Sequence, residues 1–206
     1  MKRRSFRFSV VKISSRYATI IFIAFFYLAG LIAGAISRGF IGHNTEIRLL
    51  SLFKSLSTLN NGVGYTDIFM SSLFSNFILF FLVFFFGLSL AGIPLIVLAN
   101  VYKGFGIGFT VGFLYSIYGF KGLLITLLTI LPQAVLTSIL IIWLSNEALR
   151  FSYTLVSIGG KGARLKAEFP ETSMFVRQSI IIFLLTIPAS FYETFISPFF
   201  IRILNV

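Results

Sequence analysis

The chain contains no cysteine, a single histidine and only six acidic residues among its 206. Without cysteine there is no disulfide, no thiol nucleophile and no thiolate metal site. The histidine, His43, has Glu46 near it but no second or third metal-ligand type close by,. No Ser–His–Asp set and no pair of carboxylates on one helix can be assembled, which argues against hydrolytic and acid–base catalysis. An enzymatic activity, a metal and a cofactor are therefore not expected. Charge is also scarce: 11% of residues are charged and 57% are hydrophobic. A soluble domain of this length needs a charged surface, and too little charge is available to cover one.

Long apolar runs are what the chain has instead. Several exceed the roughly 18 residues needed to cross a bilayer. The expected fold is all-α, a polytopic membrane helix bundle forming a single integral membrane domain over residues 1–206. About five transmembrane helices are expected, near residues 17–36, 73–91, 94–117, 123–145 and 178–201. The basic N-terminus has the charge of a signal peptide, but its apolar run is long and no small-residue cleavage site follows cleanly. Gly30 and Gly34 stand in that run as Gly-x-x-x-Gly, which fits a retained, packed helix,.

The net charge of +11 invites a nucleic-acid reading, and the placement of the basic residues answers it. Lys2, Arg3, Arg4, Arg7, Lys12 and Arg16 precede the first apolar run, while Arg150, Lys161, Arg164, Lys166 and Arg177 fall in or beside a late connector, 147–176. Such clustering is what the positive-inside rule produces on cytoplasmic flanks. The N-terminus is thus expected inside and the C-terminus outside, and no nucleic-acid partner is needed to explain the excess. Gly159-Gly160-Lys161-Gly162 in the connector lacks both the Ser or Thr that follows a P-loop lysine and the strand before it, so it reads as a turn,.

The segment 37–71 is the longest polar stretch and lies outside in this topology. Leu49, Leu52, Phe53 and Leu56 recur at i, i+3, i+4 and i+7, an extracytoplasmic amphipathic helix,. Its apolar stripe can lie on the outer membrane surface or cover the bundle, and it can equally dock an extracytoplasmic partner.

Polar residues within the apolar runs complete the pattern. Asn100, Gly104, Gly108 and Gly112 are spaced by four and share one helix face, where small side chains let another helix approach closely,. That face suits packing inside the bundle or the seam of a homo-oligomer. Lys103 lies about 14 Å into the third run by helical rise. It either reaches the cytoplasmic interface or faces a cavity or a counter-ion, since a bare lysine in hydrocarbon costs a few kcal/mol or more. Glu193 is the acidic residue within an expected span, but it stands about 10 Å further out by the same rise. Thr126, Thr129, Gln133 and Thr137 form one polar stripe, and Thr186, Ser190, Glu193 and Ser197 form another. Pro132 leaves the carbonyl of Leu128 without its helical donor and should kink the fourth run,.

GIPLIVLANVYKGFGIGFTVGF (residues 92–113), followed by YGFKG, LPQ (131–133) and SFYETFISP (190–198), resembles the stage II sporulation protein M family of endospore-forming bacteria. The likeness covers most of the chain, and the ordered set of motifs carries it. It implies a non-enzymatic membrane protein required when the mother cell engulfs the forespore. It further implies a scaffold that anchors peptidoglycan hydrolases, stage II sporulation proteins D and P, at the septal and engulfing cell membrane. A competing class is a transport protein, such as an exporter permease subunit, which Lys103, Glu193 and the polar stripes would suit. Five spans show no clean two-fold repeat of the kind transporters are built from.

Overall fold

In a bilayer every backbone N–H and C=O must be bonded within the segment, which leaves helices as the form open to runs this apolar. The computed structural model describes residues 3–40, 65–89, 91–159, 169–192 and 194, and every regular element among them is helical. The main helices are α1 (Arg3–Ser37), α2 (Tyr65–Gly87), α3 (Gly92–Tyr118), α4 (Phe120–Ile125), α5 (Leu131–Gly159) and α6 (Phe169–Phe191). A 3₁₀ turn, Arg38–Phe40, follows α1, and a π-helical segment, Thr126–Ile130, joins α4 to α5. Five helical stretches are long and apolar enough to cross a membrane: Tyr17–Phe40, Phe69–Gly87, Gly92–Tyr118, Phe120–Leu155 and Ser173–Phe191.

The helices overrun the expected spans. The connector expected at 147–176 is helical up to Gly159 and again from Phe169. Its apolar residues continue the 3.6-residue pattern of the neighbouring helices, and Ala148, Leu149 and Phe175 join the core. The segment expected as a loop at 37–71 likewise gives its ends to the 3₁₀ turn and to α2. Its amphipathic stripe, Leu49, Leu52, Phe53 and Leu56, lies outside the described residues, as do His43 and Glu193.

Two tight turns set the antiparallel neighbours. Between α2 and α3 the N–H groups of Leu88, Ser89 and Gly92 donate to the carbonyls of Phe85, Phe86 and Ser89, at 3.1, 3.0 and 3.1 Å. Ser152 Oγ on α5 donates to the Ser89 carbonyl at 2.8 Å and pins this turn to the bundle. A single residue, Gly119, reverses the chain between α3 and α4. Its φ of 57° and ψ of −133° are open to glycine at little cost, and its N–H donates to the Tyr115 carbonyl at 2.8 Å,.

Helix α5 is the central element and touches α1, α2, α3 and α6, while α1 lies along α3. Ile23, Phe80, Val83, Ile96, Ile141, Leu144 and Ile182 meet in the core, each fully buried. Lipid is as apolar as these side chains, so close packing rather than escape from water holds them together. Aromatic rings add to it. Phe175 of α6 stacks between Phe84 of α2, at 5.3 Å, and Phe151 of α5, at 4.9 Å, tying three helices at one level. Each such pair contributes about 0.5–1.5 kcal/mol beyond its burial.

Candidate functional site

Helix α3 carries most of the residues singled out by the sequence, and the bundle uses its faces in different ways. Towards α1 the glycines make a two-sided zipper. A Cβ added at Gly104 or Gly108 would overlap the carbonyl oxygen of Tyr27 or Leu31, and one at Gly112 would lie 2.8 Å from that of Ala35. In return, Gly30 and Gly34 of α1 press on the backbone of Val101 and Phe105. Both helices therefore contribute glycines at a spacing of four, and their backbones touch. A homo-oligomer seam, the other use expected for this face, has no room here because α1 already covers it.

Asn100 belongs to the same spacing but turns to a different neighbour. It is fully buried, and its Nδ2 donates to the Ile96 carbonyl at 2.8 Å and to Ser145 Oγ of α5 at 2.6 Å. Its Oδ1 is buried without a hydrogen-bond partner. On α1 the Tyr27 hydroxyl meets Ser138 Oγ of α5, two turns before Ser145. One face of α5 thus supplies serines to α1 and α3 in turn.

Lys103 is the twelfth of the 27 residues of α3, well inside the apolar stretch. Its Nζ donates to Asn76 Oδ1 of α2 at 3.0 Å, and Asn76 Nδ2 is held by the Ser72 carbonyl at 3.1 Å. The lysine therefore meets the neighbouring hairpin arm at mid-helix. Asn76 is the partner that sequence reasoning passed over. The available signal was a buried amide in an otherwise phenylalanine-rich helix, where an unbonded one would be costly,.

Beside this contact α2 and α3 line a groove of about 680 Å³. Its polar lining, Ser75, Tyr102, Lys103 and Thr110, gathers towards the start of α2. Leu82, Phe86, Leu95 and Leu98 line the part nearer the hairpin turn.

The threonines of the later helices bond to their own helices. Thr126, Thr129 and Thr137 donate to carbonyls one turn back, Gly122 at 2.8 Å, Ile125 at 2.6 Å and Gln133 at 3.0 Å. Thr194 does the same to Ser190 at 3.0 Å, and Thr186 to Phe183. Gln133 is half-buried on α5. Pro132 acts through the π-helical segment before it, in which the N–H of Leu131 reaches back five residues to the Thr126 carbonyl,. The Leu128 carbonyl, four residues before Pro132, receives the Tyr192 hydroxyl at 2.9 Å. The proline break in span four is thus closed from span five, a contact that nothing in the local pattern around Tyr192 announces.

A helix bundle in which the glycine run of residues 104–112 meets α1 and the LPQ proline is closed by the Tyr192 of SFYETF joins the motifs into one framework. The model of the family described as stage II sporulation protein M matches residues 17–198. The chain belongs to that family. No curated protein and no solved structure matches it. As a stage II sporulation protein M family member, with five helices suited to crossing a membrane, it is a sporulation-family membrane protein. Among its described residues, three or more His, Asp or Glu side chains do not gather where they could hold a metal ion.

Proposed function

We propose that this chain is a non-enzymatic scaffold of the engulfment machinery, anchoring and localising peptidoglycan hydrolases at the septal and engulfing mother-cell membrane. Its partners in this reading are stage II sporulation proteins D and P, with the lipid bilayer as its surroundings. Family membership supports the setting. The observation that carries the anchoring role is where the intramembrane polar groups go. Asn100 bonds to Ser145, Tyr27 to Ser138 and Tyr192 to the Leu128 carbonyl, each holding one helix to another. The threonines bond to their own helices. Polar groups spent in this way hold helix to helix and rigidify the bundle, as an anchor requires.

In the same reading the N-terminus is cytoplasmic and the C-terminus external, as the basic flanks require. The polar segment between α1 and α2 then faces the cell wall and offers a docking surface for the hydrolases. The test is co-purification of the membrane-embedded chain with the two hydrolases, repeated after residues 41–64 are replaced by a Gly/Ser linker. Capture that is lost on replacement is the expected result. Absence of capture by the intact chain, together with solute flux in proteoliposomes, would overturn the scaffold in favour of a permease. Reporter fusions within 160–168 check the orientation, and an external signal there would reverse it.

A further inference from the structure

We propose that the end of the bundle beside the α2–α3 turn binds anionic phospholipid, with the Arg177 guanidinium on the headgroup phosphate and an apolar strip of α6 against an acyl chain. Three arginines on three helices stand at one level there. Helix α1 runs with α3, meeting Gly104 through Tyr27 and Gly108 through Leu31, and the chain reverses at Gly119 before α5. The contact of Tyr27 with Ser138 then sets α1 against α5. Eleven residues back from Tyr27 is Arg16, and eleven on from Ser138 is Leu149. Helix α6 also runs against α5, since Phe175 stacks on Phe151 and Tyr192 meets Leu128. Two residues on from Phe175 is Arg177, and two back from Phe151 is again Leu149. Arg16 and Arg177 are therefore level with Leu149 and its neighbour Arg150, to within about one helical turn. The exposed Tyr17 and Tyr153 fall in the same zone. Such amphipathic rings gather where hydrocarbon gives way to headgroups.

The surface of α6 at this level has the polarity order of a lipid. Ser173, Arg177, Ile180, Ile181 and Leu184 fall at i, i+4, i+7, i+8 and i+11, and all are exposed. Hydroxyl, cation and aliphatic side chains thus follow one another along one helix face, as headgroup, phosphate and acyl chain do. Arg177 stands four residues inside the apolar stretch Ser173–Phe191, and among the described residues it has no ion-pair partner. A guanidinium presents a planar fork that matches a phosphate bidentately. At that depth its stem lies along hydrocarbon and its head reaches lipid phosphate before it reaches bulk water, which favours a lipid over a free anion.

Net charge selects the kind of lipid. Helix α1 continues unbroken from Arg16 back to Arg3, so Lys12, Arg7, Arg4 and Arg3 carry positive charge outward over about 20 Å,. The described acidic residues at this end are Glu147, already paired with Arg150 at 3.6 Å, and Glu171, six positions before Arg177. A basic end of this kind favours lipids of net negative charge over zwitterionic ones, by about fivefold for each cation near the surface. The site goes beyond the scaffold reading, because it concerns the lipid around the chain. Its failure would leave the hydrolase capture experiment untouched.

Trp143 is the sole tryptophan, so a Trp143→Phe background accepts a reporter elsewhere. Leu184→Trp places it on the apolar strip, about 10 Å from Arg177 by helical rise,. Phe74→Trp places it on an exposed position of α2 towards the other end of the bundle, seven residues after Asp67. The full chain is reconstituted in phosphatidylcholine vesicles with a minor component brominated on its acyl chains, either phosphatidylglycerol or phosphatidylcholine. Quenching reads the local share of the brominated lipid. At Leu184→Trp phosphatidylglycerol is expected to be enriched about fivefold over phosphatidylcholine, and at Phe74→Trp not at all. Adding Arg177→Gln should remove the enrichment, and Arg177→Lys, which keeps the charge in a folded chain, should retain most of it. Equal quenching by the two lipids at Leu184→Trp, equal enrichment at the two reporters, or enrichment that survives Arg177→Gln would overturn the proposal.

Discussion

The two sides of α3 are built from the same kinds of residue and do opposite things. Towards α1, Gly104, Gly108 and Gly112 bring two backbones into contact and leave no volume between them. Towards α2, Gly106 and Ala99 sit beside an open groove with a lysine in its wall. Helix association in lipid depends on complementary small residues on both partners. On the closed side α1 returns Gly30 and Gly34 to the contact. On the open side α2 presents the bulky Ile78, Leu82 and Phe86 at the groove and no glycine. A glycine alone does not make an interface; it needs a matching surface opposite.

That contrast can be broken most sharply at Gly108. Gly108→Leu drives a side chain into the Leu31 carbonyl and should separate α1 from α3. A loss of about 3 kcal/mol or more is expected, at the upper end of overpacking costs, read as a lowered unfolding midpoint in detergent. Next in size is Asn100→Ala, which removes the bond to Ser145 from a fully buried site and leaves a small void. It should cost about 1–2 kcal/mol. A double-mutant cycle with Ser145→Ala should return a coupling of about 0.6 kcal/mol or more, whereas strict additivity would deny that the contact matters.

Tyr192→Phe tests a contact away from both sides of α3 by removing the donor to the Leu128 carbonyl. About 1 kcal/mol should be lost. In a Pro132→Ala background, where a backbone N–H is restored near that carbonyl, the same change should cost measurably less. The smallest effect belongs to the open side. Gly106→Ala adds a methyl that meets nothing, and helix propensity then favours alanine,. Stability should rise by about 0.5–1 kcal/mol, and a clear loss would mean that the groove is filled in the folded chain.

The ingredients of the closed side were legible beforehand, as glycines at a spacing of four on each of two helices, but that the two faces meet each other was not. Nor was the open side. Lys103 was conspicuous as a charge in an apolar run, yet its partner Asn76 lies 27 positions away on another helix. Two antiparallel helices of this length could align those residues or leave them turns apart. Register depends on the turn at residues 88–91, where one residue more or less would rotate the arm by about 100°. Tyr192 was hidden for a similar reason: a phenol among aromatic residues looks like packing until the carbonyl it meets is known.

Local chemistry thus determined a good deal on its own. Apolar runs in a chain this poor in charge must become membrane helices, because lipid offers their backbones no other partner. The ordered motifs also place the chain in its family, with the matched region running from residue 17 to 198. What only the tertiary structure decided is which helix face meets which. The glycine run met α1 rather than a second copy, the proline break was closed by Tyr192, and the groove opened beside Lys103. Lipid and helix interior are alike in polarity, so hydrophobicity cannot sort these faces; only shape and hydrogen bonding can.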